Sequence, residues 1–218
     1  MDFTPRFGGE CLHYCPVDLN ANLYAYEQFL AECSDLLGWN ERRLWEERAA
    51  IRAERMRQYL WNEERGLFLD YDFVNERHSA TASLIAFHPL WVGLATAEEA
   101  ERTLAQLPRF EREFGLAVCE EIPGDSRYQW GFPNMWPPLV YTTVMGLAHS
   151  GYHDVAQRLA AQWLQVNIDL FAETGQLWEK IDVLTGKLPH SEYDAQPMLG
   201  WSAGVFIGLA GYLDARTA

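Results

Sequence analysis

The sequence predicts a mainly α-helical fold, a stack of antiparallel helix pairs joined by short β-hairpins, with loops gathered at one end. Three observations point there. Long segments carry apolar residues at helical spacing between clear turn signals. The order helix, helix, hairpin or loop recurs. "GLFLDYD" at 66–72 and "QLWEKID" at 176–182 echo each other, each after a long amphipathic helix. No linker or low-complexity tract divides the 218 residues, so one domain spanning 1–218 is expected.

The elements follow in order. Residues 18–37 place Leu19, Leu23, Tyr26, Leu30, Cys33 and Leu37 on one helical stripe, with Asp18 as the cap and Gly38 as the stop. Residues 41–60 form a charged second helix with Leu44, Ile51 and Tyr59 on its apolar stripe. "NEERGLFLDYD" reads as a turn and a short strand. Ser79–Ala95 and Ala97–Leu107 read as the next helix pair, the second capped by Thr96. A Pro/Gly-rich aromatic loop fills 115–138. Helices follow at Leu139–Ser150, 153–171 and 201–214, with a turn and strand at "ETGQLWEKIDVLTGK" and a loop over 187–200.

Composition narrows the function. The net charge of −14 opposes general binding to nucleic-acid phosphates and suits a neutral ligand. No apolar run approaches about 20 residues, so no membrane span is expected. No signal peptide is read, which places the chain in the cytoplasm. Cys11, Cys15, Cys33 and Cys119 lack a metal pattern beyond one C-x3-C, and are read as free thiols. The histidines show no ligand spacing, and neither metal nor cofactor is implied. His190 lies beside Ser191 and Glu192, within reach of a pocket.

Aromatics make up 14% of the chain. "DSRYQWGFPNMWPPLVYTTVMGL" at 125–147 packs Tyr128, Trp130, Phe132 and Trp136 among prolines before a helix, a rigid wall suited to flat sugar faces. Glycoside hydrolysis also needs two carboxyl groups astride the scissile bond. Glu179, between Trp178 and Lys180 on a short strand, is the first candidate. Strand alternation turns it away from both neighbours; read alone it is a surface carboxylate beside a lysine. Glu192 in "HSEYDAQ" and Asp2 in "DFTPRF" are the others.

Together these stretches resemble the α,α-trehalases, glycoside hydrolase family 37. "QWGFPNMWPPL" at 129–139 resembles the family's Q-W-D-x-P-x-G-W-x-P. "PVDLNANLY" at 16–24, "LWEKIDV" at 177–183, "SEYDAQPMLGWSAGV" at 191–205 and "DFTPRF" at 2–7 resemble further family segments, in family order across essentially the whole chain. The resemblance implies an (α/α)6-barrel type of fold, here a partial toroid. It also implies hydrolysis of trehalose to glucose with inversion. Asp2 then falls on the general acid and Glu179 on the general base. Arg6 orients the acid and joins Gln129, Trp130, Trp136 and Glu192 as substrate-binding residues. Gly131 replaces the signature aspartate and Met135 the glycine before the second tryptophan. The family's amino-terminal half, with its sugar-binding arginines, has no counterpart, so the chain corresponds to a carboxy-terminal portion whose exposed half-barrel faces are expected to associate. The alternatives are a related (α/α)6 glycosidase for another glucoside, or a non-catalytic carbohydrate-binding fragment needing an upstream chain.

Overall fold

The computed structural model describes residues 3–122, 128–190, 192–197 and 200–217. Strand β1 (Tyr14–Cys15) leads into the helix pair α1 (Val17–Leu37) and α2 (Arg42–Tyr59). Strands β2 (Trp61–Asn62) and β3 (Leu67–Phe68) form a hairpin. β4 (Tyr71–Asp72) lies between β1 and β5 (Arg77–His78) in an antiparallel three-stranded sheet. Then come α3 (His88–Trp91), α4 (Ala97–Leu104), the hairpin β6 (Glu111–Arg112) and β7 (Gly115–Leu116), and β8 (Asn134–Met135). The chain continues through α5 (Pro137–His149), α6 (His153–Thr174), β9 (Ile181–Asp182) and α7 (Gly200–Thr217). Helices α1, α3, α5 and α7 pack in sequence as a row, with α2 outside α1 and α6 bracing α5 and α7. This is a partial toroid of helix pairs.

The first helix starts one residue earlier than its sequence suggests, and Asp18 is not its cap. Pro16 occupies the N-cap, and the Val17 N–H donates to Asp70 Oδ1 at 2.9 Å, from a strand 53 residues away. A tertiary carboxylate thus does the capping. Gly38 does stop the helix, with φ 67°. The stripes read from sequence differ from those that are buried. Leu19, Tyr26, Leu37, Leu44, Ile51 and Tyr59 are exposed, whereas Ala21, Ala31, Ser34, Ala49 and Met56 are buried. Small side chains let α1 and α2 approach, and Arg52 clasps Glu27 between them through bonds of 2.9 and 2.8 Å.

Ser79–Ala95 is not one helix. The chain bends at Ala80 and Thr81, bridges through Ser83 to Cys119, makes one 3-10 turn over Leu84–Phe87 and then forms the four-residue α3. Ser79 donates its hydroxyl to the Arg6 carbonyl at 2.6 Å, which holds this start in a non-helical path. Pro89 fits a first turn but not a helix interior. The run Leu84–Leu90 is buried throughout, and such all-round apolarity hides its period. Helix α4 begins as read. Thr96 Oγ1 accepts the Glu99 N–H at 3.2 Å and Glu99 Oε2 accepts the Thr96 N–H at 2.7 Å, a capping box. Pro137 and Pro138 open α5, two residues before the expected start.

The main core joins Phe87, Leu90, Phe110, Met135, Val144, Leu147, Trp163 and Ile181. Helix α5 reaches α3 through Gly146, where a Cβ would stand 2.8 Å from the Trp91 backbone nitrogen. A smaller core of Val17, Ala21, Met56, Leu60, Phe68, Ile85 and Leu94 holds the base of the α1/α2 pair. No disulfide joins Cys11, Cys15, Cys33 or Cys119.

Candidate functional site

The amino-terminal turn is fastened to the aromatic loop and to α1. Thr4 Oγ1 accepts the Arg6 N–H and donates to the Trp130 carbonyl at 3.2 Å, while the Trp130 N–H donates to the Phe3 carbonyl at 3.0 Å. Arg6 Nε and Nη2 donate to Asp70 at 2.9 Å each, and Nη1 and Nη2 donate to Asp18 at 3.2 Å each. Burial opposes the guanidinium charge, but the two carboxylates outweigh it and raise the Arg6 pKa. Burial likewise works against the Asp18 charge, and Arg6 wins, leaving its carboxyl below the usual range. Arg6 therefore holds its own segment in place with most of its donors. Asp2, the predicted acid, lies outside the described residues.

The aromatic loop stacks inward. The Trp130 and Trp136 rings are 4.1 Å apart and 5° from parallel, and Trp201 meets both edge-on at 6.4 and 5.4 Å. Trp136 is buried and donates Nε1–H to the Gln129 carbonyl at 2.7 Å, so it backs the half-buried Trp130. Cys119 lies beneath, with Sγ 3.4 Å from the Trp130 carbonyl, and burial pushes its thiol up to about 12. Gly131 is buried. A Cβ there would sit 3.3 Å from both the Cβ and carbonyl of Tyr128 and 3.4 Å from Pro5 Cδ. The amino-terminal turn thus closes over the position where the family signature has aspartate.

Strand β9 does not form a local hairpin. It pairs with β8 of the aromatic loop, Met135 opposite Ile181 and Asn134 opposite Asp182. Glu179 precedes this strand in a bend. Its N–H donates to the Gln196 carbonyl at 2.9 Å, beside a Trp178–Pro197 bridge. The surface-strand reading is corrected: Glu179 is 9% exposed and Lys180 is fully buried. Glu179 Oε2 is buried without a hydrogen-bond partner. The Tyr193 phenol is pushed up by burial and then by its hydrogen bond and charge contact with Glu179. Lys180 Nζ donates to the Tyr193 carbonyl at 3.3 Å and lies 3.5 Å over the Tyr193 ring and 5.7 Å from the Trp136 centroid.

Glu192 is exposed and its Oε2 accepts the Gln129 N–H at 3.4 Å, linking the late loop to the aromatic one. His190 is exposed and bridges backbone to backbone with Asp194. Gln129, Trp130, Trp136, Glu179 and Glu192 thus lie on adjoining segments. Sequence reasoning missed Lys180, Tyr193 and Trp201 as part of this cluster, although all three stand in the quoted motifs. It also missed Asp70 and Asp18 as partners of Arg6. The one legible hint was an aspartate inside the apolar run "LFLDYD".

The family model described as Trehalase matches residues 2–213. The chain is similar to the cytosolic neutral trehalase of Saccharomyces cerevisiae, 35% identical across 89% of this chain and 29% of that protein. Its likeness to the cytosolic neutral trehalase of Kluyveromyces lactis is 34%, across 89% of this chain and 29% of that protein. It therefore spans less than a third of the length of these curated relatives. Among solved structures, the neutral trehalase from S. cerevisiae superposes with a TM-score of 0.83 at 32% identity, over 98% of this chain and 40% of that one. A family-63 mannosylglycerate hydrolase from Thermus thermophilus, solved with glucose, shares the fold with a TM-score of 0.71 at 22% identity, over 91% of this chain and 48% of that one.

Proposed function

The chain belongs to the trehalase family, and we propose that it is a trehalase-like glycoside hydrolase acting on trehalose with inversion. The observation that carries this reading is Glu179: a carboxylate nine-tenths buried, with Oε2 unpartnered, on a segment zipped to the tryptophan loop. In this reading Glu179 takes a proton from water as the water oxygen attacks the anomeric carbon. Asp2 gives its proton to the departing glycosidic oxygen. Two glucose molecules leave, and the proton taken by Glu179 returns to Asp2 through solvent. An inverting pair needs about 6.5–9.5 Å between carboxyl groups to admit that water. Trp130, backed by Trp136, offers a face to the sugar, and Gln129 and Glu192 contribute polar contacts. Arg6 holds the turn that follows Asp2 in the sequence.

The relatives' names put them in the cytosol, and the same compartment is proposed for this chain. Association through the α1/α2 face is proposed where Leu19, Tyr26, Phe29 and Ile51 lie open, beside a cleft of ≈ 700 Å³ lined by Arg52, Arg55 and Tyr59. A second reading, a related glucoside as substrate, is favoured by the closed Gly131 position alone.

The test is glucose release from trehalose and from glucosylglycerate-type glucosides by the purified chain, with Glu179→Gln matched for helicity by circular dichroism. Turnover of trehalose that vanishes in the variant supports the reading. Turnover of another glucoside alone selects the second. A folded chain that binds trehalose without releasing glucose is a carbohydrate-binding piece, and the hydrolase reading fails.

A further inference from the structure

The chain has two lysines and fifteen arginines. Lys187 is exposed and pairs with Glu173. The other, Lys180, is 0% exposed and adjoins Glu179. Nearly every other cation is a planar guanidinium. At this one buried position the chain carries a compact ammonium, a point charge on a flexible stem rather than a planar fork.

We propose that Lys180 is the positioning residue for Glu179: its ammonium, seated on the Tyr193 ring beside Trp136, is a fixed positive charge next to the carboxylate, whose Oε2 is left open. This rests on the reading of Glu179 as the base. Geometry supports it on three sides. The β8/β9 pairing and the bond from the Glu179 N–H to Gln196 fix the backbone of both residues. The Tyr193 carbonyl and ring hold Nζ at 3.3 and 3.5 Å. The Tyr193 phenol also interacts with Glu179, so one residue adjoins both partners. Among the described residues, Glu179, Glu192 and Asp194 act on the Nζ charge. They favour the ammonium, while burial, the larger effect, disfavours it and lowers the Lys180 pKa. A buried base gains from a cation that cannot swing away.

Two lysines make the test direct. In protein labelled with 13C at lysine Cε, Lys187→Arg assigns both resonances. We expect Lys180 to show a ring-current shift that Tyr193→Leu abolishes, and to titrate below the ordinary lysine value. Glu179→Gln should lower its midpoint further by about half a unit or more. Lys180→Met should lower kcat roughly tenfold with little change in KM, and move the acidic limb of kcat/KM to higher pH, since one unit is about tenfold. A Lys180 midpoint indifferent to Glu179→Gln overturns the proposal, even if the chain hydrolyses trehalose. Coupling without any hydrolysis supports the ion pairing and removes the catalytic reading instead. Should Lys180→Met not fold, the wild-type and Glu179→Gln spectra decide alone.

Discussion

Asp70→Asn is the sharpest probe of the amino-terminal clamp. Asp70 is 2% exposed and accepts three bonds of 2.9 Å, two from Arg6 and one from the Val17 N–H. The amide keeps the shape but removes the charge, and one of its two positions becomes a donor facing a donor. Stripping one partner from a buried pair costs about 3–5 kcal/mol. Asp18 still holds Arg6, so the lower end, about 3 kcal/mol, is expected. For a chain of this size that corresponds to a fall in Tm of roughly 6–12 °C. Urea unfolding followed by circular dichroism measures it, with the slope compared to confirm that both proteins expose the same surface. A double change, Arg6→Met with Asp70→Leu, should recover part of the loss, because neither charge is then left buried alone. A stability within about 0.5 kcal/mol of wild type at unchanged slope, below the usual cost of losing a charged hydrogen bond, refutes the clamp.

Two further outcomes follow from the same residues. Asp18 has a depressed pKa, so its contribution is full above the ordinary value of 3.8 and is lost as pH falls through the lower folded value; the stability gap between Asp18→Asn and wild type should therefore close on acidification, and a gap that persists at pH 2 contradicts the ion pair. Cys119, buried and pushed up to about 12, should resist a thiol reagent at pH 8 while exposed Cys11 reacts, and should react once urea unfolds the chain; rapid labelling of Cys119 in the folded protein would contradict its burial under the tryptophans.

The helix pairs were legible because local signals and packing agree there: Gly38 stops α1, and Thr96 with Glu99 starts α4. The aromatic loop was legible as a unit, though not its inward stack. What escaped the sequence is what tertiary contacts decide. Asp18 looks like a cap until Arg6 and Asp70 compete for the two roles, one drawing its carboxylate and the other supplying the cap. Glu179 looks like a surface residue because a two-residue strand has too short a pattern to declare its burial; the strand that follows it pairs with β8, Ile181 facing Met135 46 residues back, and its own N–H is bonded to Gln196. The exposed stripes on α1 and α2 follow helical period correctly, but period alone does not name the side that meets a neighbour.

The α1/α2 pair is gripped at one end. Its core residues Val17, Ala21, Met56 and Leu60 gather near the strands, whereas Leu36, Leu37 and Trp39 at the far turn are exposed. Fluctuations there should behave as a hinged flap. Amide protons around the far turn would trade with deuterated solvent by local fraying, while those at the base wait for opening of the whole chain. The clamp that organises the candidate site sits at the slow end, so the tip can breathe without disturbing Arg6. Uniform exchange along both helices would mean that the pair moves as one rigid piece instead.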